Sequence, residues 1–282
     1  MNQAQARIAP QAPDERLHDA ILPPLAEVER LWQAIRATAA DAARREPFLA
    51  ARLETLVLGQ PAPAAIVGIM LARRLACADL PEMELAALVR QSFDADALLL
   101  RQVSADLAAV VERDPACPDY LHVLLNLKGF QALQAHRIAH ALWRAGRREL
   151  AFALASQASL AFAIDIHPAA RIGCGVMLDH GTGTVIGETA VIGDNVSILQ
   201  NVTLGGTGKE HGDRHPKIRS GVMIGAGATV LGNIEIGAMS KIAAGSVVLK
   251  NVPPHCTVAG VPARIVRRHQ DGCPSFDMDQ SL

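Results

Sequence analysis

An aliphatic side chain returns every six residues along the second half of the chain. The run is Ile166, Ile172 and Leu178, then after a slip of two Ile186, Ile192, Ile198 and Leu204. After a wider gap come Ile218, Ile224, Val230, Ile236, Ile242 and Val248. Several anchors are followed directly by Gly, and the residue two before an anchor is usually Ala, Ser, Thr or Val. A period of six fits neither the 3.6 residues of a helix nor the alternation of an ordinary strand. It predicts a coil of short strands and tight turns, the hexapeptide form of parallel β-helix. With three hexads per turn, each anchor points inward and stacks on the anchor eighteen residues away, about 4.8 Å along the axis. No hexad buries its own anchor, so the coil is stable only as an array.

The first half has a different rhythm. From Asp14 to Arg45 the residues Leu17, Ile21, Leu25, Val28, Leu31, Trp32 and Ile35 recur at threes and fours, which predicts an amphipathic helix broken near Pro23 and Pro24. Further helices are predicted at 47–58, 63–77, 81–92, 95–112, 119–145 and 147–161, with prolines at or near the joints. The expected organisation is a disordered leader at 1–13, an all-helical domain at 14–162, the coil at 163–266 and a flexible tail at 267–282.

Composition narrows the function classes. Aromatic residues make up only 3% of the chain, which suits Ala-rich helices and a narrow coil. A net charge of −1 argues against nucleic acid or an anionic membrane as partner. Five widely spaced cysteines form no C-x-x-C pair and no zinc-like spacing, the pattern of idle thiols in a reducing cytosol. The N-terminus lacks a signal pattern, and the most apolar stretch, Leu150 to Ile164, is too short for a membrane span. A soluble cytoplasmic protein is expected.

Chemistry is expected where the six-residue rhythm fails, because a regular scaffold accepts insertions only as surface loops. The first break is Leu178-Asp-His-Gly-Thr-Gly183, and the second is the segment from Gly205 to Lys217. At the first, His180 sits beside Asp179, with Asp165 nearly one coil turn earlier. A neutral imidazole supported by a carboxylate can accept a hydroxyl proton near pH 7, though a corner His beside an Asp also serves as a structural hydrogen bond. At the second, Arg214 can hold a carboxylate in a bidentate pair, and a solvated charged loop is the bland alternative. Gly205 to Lys209 lacks the spacing of a nucleotide-hydrolysing phosphate loop, yet its amides suit a thioester carbonyl or pantetheine arm. His136 and His140 lie four apart on a predicted helix, but Arg137 replaces the Glu that a metalloprotease needs.

The segments Asp165-Ile-His-Pro-Ala-Ala170, Leu178-Asp-His-Gly-Thr-Gly183, Val196 to Lys209, Asp213-Arg-His-Pro-Lys-Ile218 and Ala259-Gly-Val-Pro-Ala-Arg264 carry a resemblance. Together with Arg113-Asp-Pro115 and Leu127-Lys-Gly-Phe-Gln-Ala132, they make the chain resemble the serine O-acetyltransferases. The resemblance implies an α + β protein, an N-terminal all-helical domain followed by a left-handed parallel β-helix of hexapeptide repeats. It implies acetyl transfer from acetyl-CoA to L-serine, without a metal, as the first step of cysteine biosynthesis, with L-cysteine as feedback inhibitor. His180 and Asp165 correspond to the family's catalytic pair. Asp114, Asp179, Arg214 and His215 correspond to its serine-binding residues, and Gly206, Ala226, Lys241 and Ala244 are candidates for coenzyme A contacts. Homo-oligomers are implied, trimers or dimers of trimers with active sites between neighbouring coils. Many members also insert a C-terminal tail ending in Ile into O-acetylserine sulfhydrylase. Here Asp277-Met-Asp-Gln280 leads to Ser281-Leu282, so weak or absent association is expected. The rivals are a hexapeptide acyltransferase acting on homoserine or a sugar, a zinc carbonic anhydrase using His167, His180, His211 or His215, and a purely structural coil.

Overall fold

The computed structural model describes residues 22–208, 211–269 and 272–281. The expected leader and the first part of the first helix lie outside the described residues. Helix α1 (Leu25–Arg45) begins directly after Pro24, so the expected break is the helix start, and it buries Val28, Leu31, Trp32, Ile35 and Ala39 at threes and fours. Helix α2 (Pro47–Leu53) widens into a single π turn over Glu54–Leu58. Helices α3 (Pro63–Leu75), α4 (Glu82–Ala95) and α5 (Leu98–Arg113) follow. Pro47 and Pro63 occupy the first helical turns, where a missing N–H costs nothing.

The single helix expected over 119–145 is two, α6 (Tyr120–Asn126) and α7 (Lys128–Arg144), separated by an extended Leu127 with φ −92° and ψ 107°. The apolar pattern runs through the break, so periodicity cannot see it. Its physical reason lies in the coil: α7 begins with Gly129 pressed against the backbone at Leu178, where a Cβ would stand 2.0 Å from the carbonyl oxygen. Helix α8 (Arg148–Phe162) then delivers the chain to the coil.

The coil has three faces. One sheet stacks β1 (Asp165–Ile166), β4 (Val185–Ile186), β7 (Thr203–Gly205), β10 (Thr229–Leu231) and β13 (Val247–Val248), all parallel. The second stacks β2 (Arg171–Ile172), β5 (Val191–Ile192), β8 (Lys217–Ile218) and β11 (Glu235–Ile236). The third stacks β3 (Met177–Leu178), β6 (Ser197–Ile198), β9 (Met223–Ile224), β12 (Lys241–Ile242) and β14 (Cys256–Gly260), and β15 (Ala263–Arg268) closes it antiparallel. The anchors form three interior columns, and all except the partly buried Ile172 are buried.

Register shows what the two breaks do. Asp165 pairs with Val185, twenty residues on, because the His180 corner adds two residues to that turn. Val191 pairs with Lys217, twenty-six residues on, because the long loop adds eight. The regular turn is eighteen, as between Val185 and Thr203 or Lys217 and Glu235. Beyond Pro253 the last turn of the coil is sixteen residues, with Val258 stacked on Ile242.

A buried ion pair joins the two halves. Arg137 on α7 donates to both carboxylate oxygens of Asp106 on α5, at 2.8 and 2.9 Å, and also to the carbonyl of Gly173 at 2.7 Å. Asp106 in turn accepts from the Val176 amide at 3.1 Å. Residues 272–281 of the tail, expected to be flexible, lie packed against the molecule. Helix α9 (Pro274–Asp277) buries Ser275, whose carbonyl accepts from Ser197 Oγ at 2.9 Å, and Phe276 stands 4.3 Å from the Arg113 guanidinium.

Candidate active site

The first break forms a tight corner between β3 and β4. His180, Gly181 and Gly183 all take positive φ, at 54°, 71° and 76°. Glycine meets that demand without strain, whereas His180 does not, and a bulky residue held there marks a constrained site. The result is a projecting imidazole, 75% exposed, with Nε2 3.8 Å from Asp179 Oδ1. Lys128, at the start of α7, donates to Thr182 Oγ1 and ties the corner to the helices.

Asp114 reaches the same corner from the C-terminal end of α5, where its Oδ1 also caps the Ala116 amide at 2.8 Å. Burial raises the Asp179 pKa, the nearby His180 pulls it down, and the Asp114 carboxylate pushes it up. Two carboxylates acting on one another beside an imidazole give the corner a negative charge that a bound ammonium would relieve.

Asp165 belongs to a strand rather than to the corner. It lies exposed in β1 on the outer face of the first sheet, and among the described residues no ion pair or hydrogen bond joins it to His180. The two residues added at the corner set Asp165 beside Val185 in the parallel pair.

A second cluster forms on another edge of the prism, between the first and second sheets. Arg214 pairs with Glu188 Oε2 at 2.8 Å, and this bond holds the Glu188 pKa down. His215 is 7% exposed, and its pKa is lowered by burial and then by Arg214 and Lys217. Lys217 bonds Asp213 at 2.6 Å, closing the base of the loop. His167 lies within the field of Glu188, Asp165 and Arg214. Glu188 and Thr189 were not singled out by sequence. The signal for them is the twenty-six-residue turn, which sets Arg214 and His215 directly against the preceding hexad's corner.

The residues expected to meet coenzyme A divide. A ladder of amide bonds climbs the edge that carries His180, from Asn201 to Thr182, Gly227 to Gln200 and Gly245 to Ala226, at 2.8, 2.9 and 2.8 Å. Ala226 and Ala244 therefore share that edge, where Gly227 and Gly245 have open space in place of a side chain. Gly206 belongs to the second cluster, against Arg214. Lys241 faces outward from the third sheet, buried, with its ammonium on the carbonyl of Ser281. His136 and His140 stack 5.8 Å apart, with His140 on the Pro168 carbonyl. Among the described residues no group of three or more His, Cys, Asp or Glu converges as metal ligands would.

Known proteins resemble this chain over about nine-tenths of its length. Residues 31–135 match the family described as "Serine acetyltransferase, N-terminal", and residues 215–250 match "Bacterial transferase hexapeptide (six repeats)". A serine acetyltransferase of Salmonella typhimurium is 54% identical over 257 residues, spanning 91% of this chain and 94% of its own. A solved serine acetyltransferase in complex with cysteine superposes with a TM-score of 0.89 at 48% identity, covering 90% of this chain and 99% of that one. The Brucella abortus enzyme in complex with coenzyme A gives 0.86 at 50% identity, covering 89% and 100%.

Proposed function

The chain belongs to the serine acetyltransferase family, and from that premise we propose how it transfers acetyl from acetyl-CoA to the hydroxyl of L-serine, giving O-acetyl-L-serine and CoA. Asp114 and Asp179 take the serine ammonium, and Arg214 with His215 takes its carboxylate. His180 removes the hydroxyl proton as that oxygen attacks the thioester carbonyl, and returns it to the departing thiolate. A rotation of the exposed imidazole brings Asp165 into play as the carboxylate that orients it. The Gly206 amide is the oxyanion donor. Pantetheine lies along the edge of Ala226 and Ala244, whose small side chains leave it bare.

The observation that carries this reading is the meeting of Asp114, Asp179 and His180 at one corner, a negative charge beside a base. Assay of serine-dependent thiol release from acetyl-CoA tests it, with homoserine and sugars as alternative acceptors. Thiol release with homoserine or a sugar but not with serine would replace the acceptor.

The two halves of the serine grip occupy different edges of the prism, with one face between them. A neighbouring copy that sets its second edge against this chain's first completes the grip. Trimers, paired through the helices into hexamers, supply such a copy, and the coil of the family winds left-handed. The functional units are the helical residues 14–162 and the coil 163–266. L-Cysteine, with a thiol in place of the hydroxyl, occupies the serine site as inhibitor. Binding of the tail to O-acetylserine sulfhydrylase is weak, because the segment is already engaged through Ser275, Phe276 and Ser281. The protein works in the cytoplasm; among the described residues no helix is long and apolar enough to cross a membrane.

A further inference from the structure

His215 is held by a single residue of the preceding coil turn. The Thr189 amide donates to His215 Nδ1 at 3.1 Å, and Thr189 Oγ1 lies 2.8 Å from the same nitrogen. That hydroxyl oxygen also accepts from the backbone amides of Arg214 and His215, at 3.0 and 3.1 Å. The Thr189 carbonyl accepts from Lys217 Nζ at 2.8 Å, so one threonine anchors both ends of the Arg214–Lys217 segment. Gly187 faces the imidazole from the other side: a Cβ there would stand 2.1 Å from Cδ2 and Nε2, which excludes any side chain.

These contacts decide where the ring proton sits. A backbone amide only donates, so Nδ1 must accept and carries no hydrogen. Two amides occupy the lone pairs of Thr189 Oγ1, which turns its own hydrogen toward Nδ1 as well. The neutral imidazole therefore keeps its single proton on Nε2. To become a cation, His215 must break both bonds at Nδ1, beside the cations Arg214 and Lys217 and the His167 ring, which oppose the charge, with Glu188 favouring it.

We infer that Thr189 is a positioning residue that fixes His215 as a neutral donor through Nε2, aimed at the acceptor's carboxylate. His215 is thereby removed from acid–base work, and His180 remains the only base of the two. A donor at this place favours an acceptor carrying a carboxylate over a neutral alcohol, which deepens the serine reading and rests on it.

Two measurements on the full-length enzyme test the inference. Histidine-selective 15N NMR of the free protein, with the His215 signals identified by their loss in His215→Gln, is expected to show Nε2 protonated and Nδ1 bare at neutral pH. A proton on Nδ1 overturns the inference whatever the enzyme acetylates. In kinetics, Thr189→Val is expected to raise the serine KM roughly tenfold, the size of one hydrogen bond to a charged group. The acetyl-CoA KM should stay within about twofold, and Thr189→Ser should restore the wild-type value. An unchanged serine KM in Thr189→Val, or equal rises in both KM values, overturns it. If Thr189→Val does not fold, the NMR result and the Thr189→Ser kinetics decide. Absence of serine-dependent turnover in the wild type would instead sink the substrate reading and leave the tautomer result standing.

Discussion

Gly129 and Leu178 meet so closely that a Cβ on the glycine would stand 2.0 Å from the leucine carbonyl oxygen. This contact seats the first turn of α7 on the strand that leads into Asp179 and His180. The Gly129→Ala protein must therefore lift the helix off the coil, at a cost of about 1–3 kcal/mol for overpacking. Urea denaturation should show the lower midpoint. Turnover should fall as well, because the shifted backbone is the one that sets the His180 corner.

Asp106 is fully buried, and its partner Arg137 is nearly so. In Asp106→Asn the arginine stays buried against the Gly173 carbonyl without a counter-charge, which predicts a loss of roughly 3–5 kcal/mol. Equilibrium unfolding measures this directly. An effect of the size seen for exposed pairs would show that water reaches the seam.

Burial and Asp114 hold the Asp179 pKa above its unfolded value, against the opposing pull of His180. The folded protein thus binds this proton more tightly than the unfolded chain, so the contribution favours folding at low pH and fades as pH rises through the folded pKa. Asp179→Asn cannot ionise. Its melting temperature relative to wild type should therefore climb as pH increases from below the ordinary Asp range toward neutrality. The same variant should bind serine more weakly, trading affinity for stability.

Removal of the base should cost turnover and not coenzyme A affinity. His180→Ala is expected to lower kcat by roughly 10² to 10⁴, with acetyl-CoA binding by calorimetry unchanged. Asp165→Asn tests the second carboxylate: a drop in kcat at constant serine KM assigns it the orienting role. If Asp165→Asn turns over normally while Asp179→Asn loses kcat, the carboxylate at 3.8 Å is the working partner.

The coil was legible in the sequence because its signal repeats: thirteen aliphatic anchors keep one period, and a single apolar position per hexad is all that stacking requires. The helices were legible for a similar reason. What periodicity cannot carry is contact between distant segments. The break at Leu127 follows from the carbonyl of Leu178, fifty-one residues later, and the packing of the tail follows from Arg113, Ser197 and Lys241. The site shows the same division. His180, Asp179, Arg214 and His215 announce themselves by standing in the gaps of the rhythm. Glu188 and Thr189 sit in an ordinary hexad, and only the register of the twenty-six-residue turn reveals what they hold.

The unequal turns, twenty and twenty-six residues among eighteens, leave every interior column in step. Extra chain is extruded sideways at a corner, and the next strand lands where it would have landed anyway. Loop length and loop chemistry are thus uncoupled from the stability of the shaft. A lineage altering the Gly206–Pro216 segment could explore new acceptors one excursion at a time, while the part that folds the molecule goes on unaware of the change.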